Sequence, residues 1–240
     1  MQITKTDYLE YNFCKKNLWL KKHKRELFEG FELSDFEKKI IEEGNLADAE
    51  ARNLFPEGVL VDSRDMEAVE DTRQYIAKKE KIIFQATFAE DDFFIRADIL
   101  IYEPKKGGYE LYEVKASNDI KREEQYNYIK DLAFQKSVIE KSELKIIKTG
   151  VIHLNREYKK SGKIKYHELF LIVDLTDEIM ESRDAVKKQM SELKQYLDMP
   201  EEKRCECLYR GRNNQCTTFA YSNPEVPEYS VHDISRIGAS

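Results

Sequence analysis

Hydrophobic positions along the chain change their period four times. Over the first 80 residues apolar side chains recur every three or four positions, the signature of helices packed on one face. Thr4 followed three residues later by Asp7 has the form of a capping box, and Tyr8, Leu9, Phe13, Leu18 and Trp19 then supply an apolar stripe. Further helices are predicted over about 34–43, over 45–54, where Phe55-Pro56 stops the run, and over 66–79. From residue 81 the period shortens, and 81–88, 93–103 and 108–117 read as three strands, the last two joined by the turn 104–107. A helix over 121–141 follows, with Ile129, Leu132, Ala133, Val138 and Ile139 as its apolar positions. Strands over 146–155 and 166–175, linked by a basic loop, and a charged helix over 177–197 complete the pattern. Signals weaken after Pro224, and no repeat or low-complexity linker interrupts the chain.

This order predicts one α/β domain over residues 1–240, with a helical part (1–80), a core (81–175) and a closing helix with a cysteine-bearing segment (176–240). A length of 240 residues accommodates it. Hydrophobic residues at 41% and aromatics at 11% are enough for a core and exclude wholesale disorder. Forty Lys and Arg against forty-six Asp and Glu leave a net charge of −6. That excludes a simple basic DNA-coating protein, but not an enzyme with local basic patches, since a partner feels the local field. The N-terminus lacks the apolar core of a signal peptide and the longest apolar run, 169–173, is too short for a bilayer, which predicts a cytoplasmic protein with no membrane partner.

Cysteine placement sharpens this picture. Cys205, Cys207 and Cys216 crowd one polar stretch, and Cys14 stands near the other end of the chain. In a reducing compartment such clustering points to a metal or iron–sulfur site rather than to disulfides.

The hairpin carries the second candidate chemistry. With its turn centred between Lys105 and Lys106, Glu103 faces Gly108, Leu100 faces Leu111 and Asp98 faces Glu113. Glu113 and Lys115 share a face by the two-residue strand period. Two facing carboxylates in the apolar contexts IRADILIY and YELYEVKAS repel each other. A divalent cation removes that repulsion, and hard oxygen ligands suit Mg²⁺ or Mn²⁺. A metal there activates water and polarises phosphorus, while an ammonium beside it offsets developing charge. The set Asp98, Glu113, Lys115 therefore fits phosphodiester hydrolysis.

The run IRADILIY…YELYEVKAS resembles the core of the PD-(D/E)XK nuclease superfamily, with Asp98 as the motif aspartate and Glu113-Val114-Lys115 as its E-x-K. The segment TKTDYLEYNFCKKNLWL and the three late cysteines make the chain similar to the RecB-like branch, including the iron–sulfur CRISPR-associated exonucleases and the AddB nuclease domain. The resemblance spans about residues 4–219. It implies a restriction-endonuclease-like fold, a mixed central sheet flanked by helices, and a [4Fe–4S] cluster on Cys14, Cys205, Cys207 and Cys216, with zinc as the lesser alternative. It also implies a Mg²⁺ or Mn²⁺ site on Asp98, Glu113 and the Val114 backbone carbonyl. The family's early metal-binding histidine, four residues after a glycine, falls on Asp48, counted from Gly44, and Glu50 competes as a helix glutamate. Tyr126, Asp131 and Gln135 match the helix that shapes the family's site. Two departures stand out: Ala97 replaces the motif proline, and Cys205-Glu206-Cys207 replaces the usual C-x-x-C.

Basic patches supply the expected DNA surface: Lys15 and Lys16 within 15–25, the region 141–165, Lys121 at the mouth of the helix over 121–141, and the arginines around the cysteines. The resulting expectation is a metal-dependent deoxyribonuclease acting on single strands or ends, able to associate with other DNA-processing proteins. The rival is a catalytically silent nucleic-acid-binding or adaptor module on the same fold; a restriction-type endonuclease fits the cysteine frame less well.

Overall fold

Alternating apolar residues and a four-residue turn fold the middle of the chain into the antiparallel strands β3 (Ile82–Glu90), β4 (Phe93–Glu103) and β5 (Gly108–Lys115). The computed structural model describes residues 1–29, 32–123 and 127–234. β1 (Ile3–Thr4) runs directly into helix α1 (Lys5–His23), and α2 (Asp35–Ala51), β2 (Val59–Leu60) and α3 (Asp65–Ala77) precede the hairpins. After β5 come α4 (Tyr128–Lys141), β6 (Ile146–Leu154), the single turn α5 (Tyr166–Leu169), β7 (Phe170–Asp174), α6 (Thr176–Leu197) and the short α7 (Phe219–Ser222). The strands form one mixed sheet in the order β2-β3-β4-β5-β6-β7, with β1 added to β4; β5 and β6 are parallel. The expected α/β class and helix-flanked mixed sheet are observed.

Several boundaries differ from the sequence expectation. The helices predicted over 34–43 and 45–54 are one: α2 runs through Gly44, because a lone glycine weakens a helix without stopping it and a full capping box on Ser34 and Glu37 anchors its start. α4 begins at Tyr128, capped by the Asn127 side chain, rather than at Lys121. The strand expected over 166–175 is halved, because its first four residues coil into α5 before β7 begins.

By contact the chain divides into two compact units, one of Met1–Lys5 with Leu33–Lys187, the other of Thr6–Glu32 with Lys188–Ser240. The first holds the sheet. On one of its faces Ala47, Ala51 and Leu54 pack against Phe84, Ile99, Tyr112, Val114 and Ile152. Tyr112 and Val114 alternate with Glu113 and Lys115, so the polar pair turns to the face where Asp131 and Gln135 project from α4.

One backbone feature positions the site. The β4–β5 ladder runs from Glu103/Gly108 to Ile99/Tyr112, in the predicted register, and ends there. Farther along, the same edge of β4 is taken by β1, which pairs Ile3 with Phe93 and Thr4 with Phe94, while the other edge stays paired with β3. β4 and β5 thus fork at Asp98 and Glu113. At the far side, Gly150 lies where any Cβ would collide with the Val173 carbonyl of the neighbouring strand. Gly150→Ala should lower stability by about 1–3 kcal/mol through this overpacking; thermal unfolding of the two proteins measures it.

Candidate functional site

At the fork, the backbone N–H of Val114 donates to Asp98 Oδ2 at 2.8 Å instead of to a strand carbonyl. Opposite, the β3–β4 ladder pairs Phe84 with Ile99 and Ala86 with Ala97 but omits Gln85 and Asp98. Gln85 adopts φ 58°, a left-handed conformation inside a strand that non-glycine residues rarely hold without a local reason. The side chain gives that reason. Its Nε2 donates to Asp48 Oδ1 at 2.9 Å and to Asp98 Oδ1 at 3.1 Å, and Arg96 Nε donates to its Oε1 at 2.9 Å. Arg96 in turn is held by the Ser63 and Val61 carbonyls. Asp48 arrives from α2 and also accepts from Arg52.

A second network meets Glu113, which is 3% exposed. Its Oε1 accepts from Lys115 Nζ at 2.7 Å and from Lys5 Nζ at 2.6 Å, and its Oε2 from Gln135 Nε2 at 2.8 Å. Gln135 Nε2 also donates to Asp131 Oδ1 at 2.8 Å, and Lys115 Nζ to Asp131 Oδ2 at 3.0 Å. Lys115 lies 5.0 Å over the Tyr128 ring. The predicted residues Asp48, Asp98, Glu113, Val114, Lys115 and Lys121 line one open cleft of about 1140 Å³.

The two facing carboxylates are driven apart in acidity. Burial pushes Asp98 up to about 7, with the Glu113 and Asp48 charges adding to the effect against the pull of Lys5 and the Val114 N–H. Burial acts the same way on Glu113, but the ammonium groups of Lys115 and Lys5 outweigh it and hold that carboxyl well below the usual range. Lys115 is held well above the ordinary lysine range: burial favours the neutral amine, and Asp131 and Glu113 reverse that. An ammonium so held serves as a hydrogen-bond donor, not as a base.

Other predicted residues fall elsewhere. Glu50 does not line the cleft and hydrogen-bonds Tyr166. Tyr126 lies outside the described residues. Lys16, expected to meet DNA, is 2% exposed, its ammonium engaged by the Lys203 carbonyl at 2.9 Å and by Glu201, so it offers no surface to a phosphate backbone. Lys15 is part-exposed and faces Glu202 and Glu206. Lys5, Gln85 and Arg96 were not among the sequence candidates. A glutamine and an arginine inside apolar strands are visible anomalies, whereas nothing local distinguishes Lys5.

In the second unit the four cysteines meet. All are buried and unbridged, and their Sγ atoms lie within 4.8 Å of one another. Cys14 reaches the group because α1 breaks there, with φ −154° and ψ 98° inside an otherwise helical run. Polar hydrogens point at the sulfurs: Asn223 Nδ2 lies 3.3 Å from Cys205 Sγ and the Asn17 N–H 3.4 Å from Cys14 Sγ. Asn17 also ties the two chain segments by accepting from the Thr218 N–H and hydroxyl. Four thiols so placed can bind a metal.

No family model matches the sequence, and no curated protein matches it. Among solved structures, the crystal structure of an alkaline exonuclease (LHK-Exo) from Laribacter hongkongensis is similar at 12% identity and a TM-score of 0.43, over 82% of this chain and 90% of that chain. No helix among the described residues is long and apolar enough to cross a membrane.

The raised pKa of Asp98 sets a pH signature for the metal-free protein. Its folded value exceeds the ordinary 3.8, so the folded chain holds a proton that the unfolded chain releases between about pH 4 and pH 7. The contribution of Asp98 to stability therefore falls across that window as pH rises. Asp98→Asn should stabilise the chelated protein at pH 8 by at least ~1 kcal/mol and have little effect at pH 4; denaturant melts at the two pH values measure this.

Proposed function

We propose that the chain is a metal-dependent nuclease that hydrolyses DNA phosphodiester bonds, of the RecB-like PD-(D/E)XK type, acting on single strands or ends. What carries the reading is the convergence of Asp48, Asp98, Glu113 and Lys115 on one cleft. The donor set fits a hard divalent cation. Its ligands are carboxylate oxygens, and a bound cation relieves both the burial and the neighbouring Glu113 and Asp48 charges that raise Asp98. Asp48, Asp98, Glu113 and the Val114 carbonyl are the proposed ligands, and Mg²⁺ or Mn²⁺ the proposed ion.

When bound, the ion would supply Lewis acidity to the phosphodiester and lower the pKa of a water. The side chains around it have separate tasks. Gln85 holds Asp48 and Asp98 at a common point, and the Val114 N–H fixes the second oxygen of Asp98. Lys115, gripped by Glu113 and Asp131, keeps its proton and turns its ammonium toward the cleft, where it stabilises charge growing on phosphate oxygens. Lys121 at the cleft rim suits a phosphate contact. The intact constellation favours this reading over a silent adaptor module, which has no use for a lysine held charged between two buried acids.

The cysteine centre is proposed as structural. The family resemblance implies an iron–sulfur cluster. The sulfur spacing supports a single tetrahedral ion such as zinc, for which Zn–S bonds of about 2.3 Å set the sulfurs about 3.8 Å apart; Cys205 and Cys216 are separated by 3.8 Å. Purified without oxygen, the protein should carry stoichiometric metal that Cys207→Ser loses together with thermal stability. Iron with acid-labile sulfide identifies the cluster, zinc the single ion, and a fully stable metal-free protein overturns the centre.

Digestion of labelled single- and double-stranded DNA with Mg²⁺ or Mn²⁺ tests the activity. Lys115→Ala should lower kcat by about 10²–10³-fold, the cost of losing one charge-stabilising donor. Equal activity of the two proteins, or none with any metal, defeats the assignment.

A further inference from the structure

Lys5 is the acid cluster's unexpected member. It follows β1 immediately, so the pairing of Ile3 and Thr4 with Phe93 and Phe94 fixes where its side chain departs. Its Nζ lies 2.6 Å from Glu113 Oε1 and 3.7 Å from Asp131 Oδ2, but it does not line the cleft. A group in that position acts through the acids it touches, not on a substrate.

The charges around it close. Glu113 and Asp131, 3% and 1% exposed, carry two negative charges, and Lys5 and Lys115 carry two positive ones. Gln135 bridges the acids from behind. A carboxylate oxygen has about two acceptor sites, and on Glu113 Oε1 both are taken by ammonium groups at 2.6 and 2.7 Å. Two buried carboxylates this close are otherwise the donor set of a second divalent ion, as in two-metal phosphodiesterases. On the other side, Asp48 pairs with Arg52 and is joined to Asp98 through the neutral amide of Gln85, so the charge of Asp98 is the one left for a cation to neutralise.

We infer that Lys5 is a positioning residue that stands in for a second metal ion, closing Glu113 Oε1 and Asp131 and limiting the site to one divalent cation on Asp48, Asp98 and the remaining acceptor site of Glu113 Oε2. The inference deepens the proposed metal site and rests on that reading. It also gives Lys5 a catalytic consequence: with the second position filled by protein, Lys115 keeps both its carboxylate partners while the single ion is bound.

Calorimetric titration of the purified protein with Mn²⁺, its thiol-bound metal left in place, tests this through stoichiometry alone. The wild type and Lys5→Arg should bind one Mn²⁺ per chain. Lys5→Ala, which leaves Glu113 and Asp131 with one ammonium between them, should bind a second. Two ions on the wild type, or a single ion on a folded Lys5→Ala protein, overturns the role of Lys5. No Mn²⁺ on the wild type overturns the metal-dependent function itself. The wild-type count needs no variant, so misfolding of Lys5→Ala, seen in its thermal melt, leaves the test standing.

Discussion

Two buried carboxylates and the two part-exposed ammonium groups that pair with them at a strand fork are the constraint on which the first unit's architecture turns. Removing Glu113 and Asp131 from water is costly, and the cost is recovered only if the partners arrive with good geometry and every lone pair is used. That demand explains otherwise separate facts. α4 must present Asp131 and Gln135 four residues apart on the face turned toward β5. Lys115 must share a strand face with Glu113. β1, only two residues long, must add to β4, because it carries Lys5 into place.

The same unit sets the two cleft carboxylates in opposite electrostatic states. Glu113 sits among cations and is ionised, whereas Asp98, restrained by an amide and a backbone N–H, is pushed toward its protonated form by burial and then by the charges of Glu113 and Asp48. One acid belongs to the scaffold's charge balance and the other stores repulsion. Stored repulsion is how a site that must capture a cation differs from one that merely packs. The left-handed Gln85 fits this division, since a strained backbone is kept where its side chain does something the regular strand cannot.

Much of this was legible in the sequence. The register that carries the ladder to Ile99 and Tyr112, one residue short of Asp98 and Glu113, follows from the turn alone, and the period-two rule places Lys115 beside Glu113. Asp48 and the union of Cys14 with the late cysteines were reached through family resemblance. What stayed hidden depends on long-range geometry. Lys5 is one of many lysines in a basic N-terminal segment, and its partner is 108 residues away. The importance of Gln85 lies in a backbone flip that no composition rule foresees. Lys16 was misjudged for a related reason: counting lysines in a stretch does not reveal which one turns inward.

The position of β1 also orders events in time. Its pairing partners Phe93 and Phe94 leave the ribosome some ninety residues after it, and α4, with Asp131, later still. A two-residue strand has no independent stability, so it must wait unpaired until the β3–β4 hairpin exists. The contact of Lys5 with Glu113 is thus among the most non-local in the unit. Lys5 precedes both acids by more than a hundred residues, so its cation reaches them only through the β1–β4 pairing, and the charge balance ties the beginning of the unit to its middle.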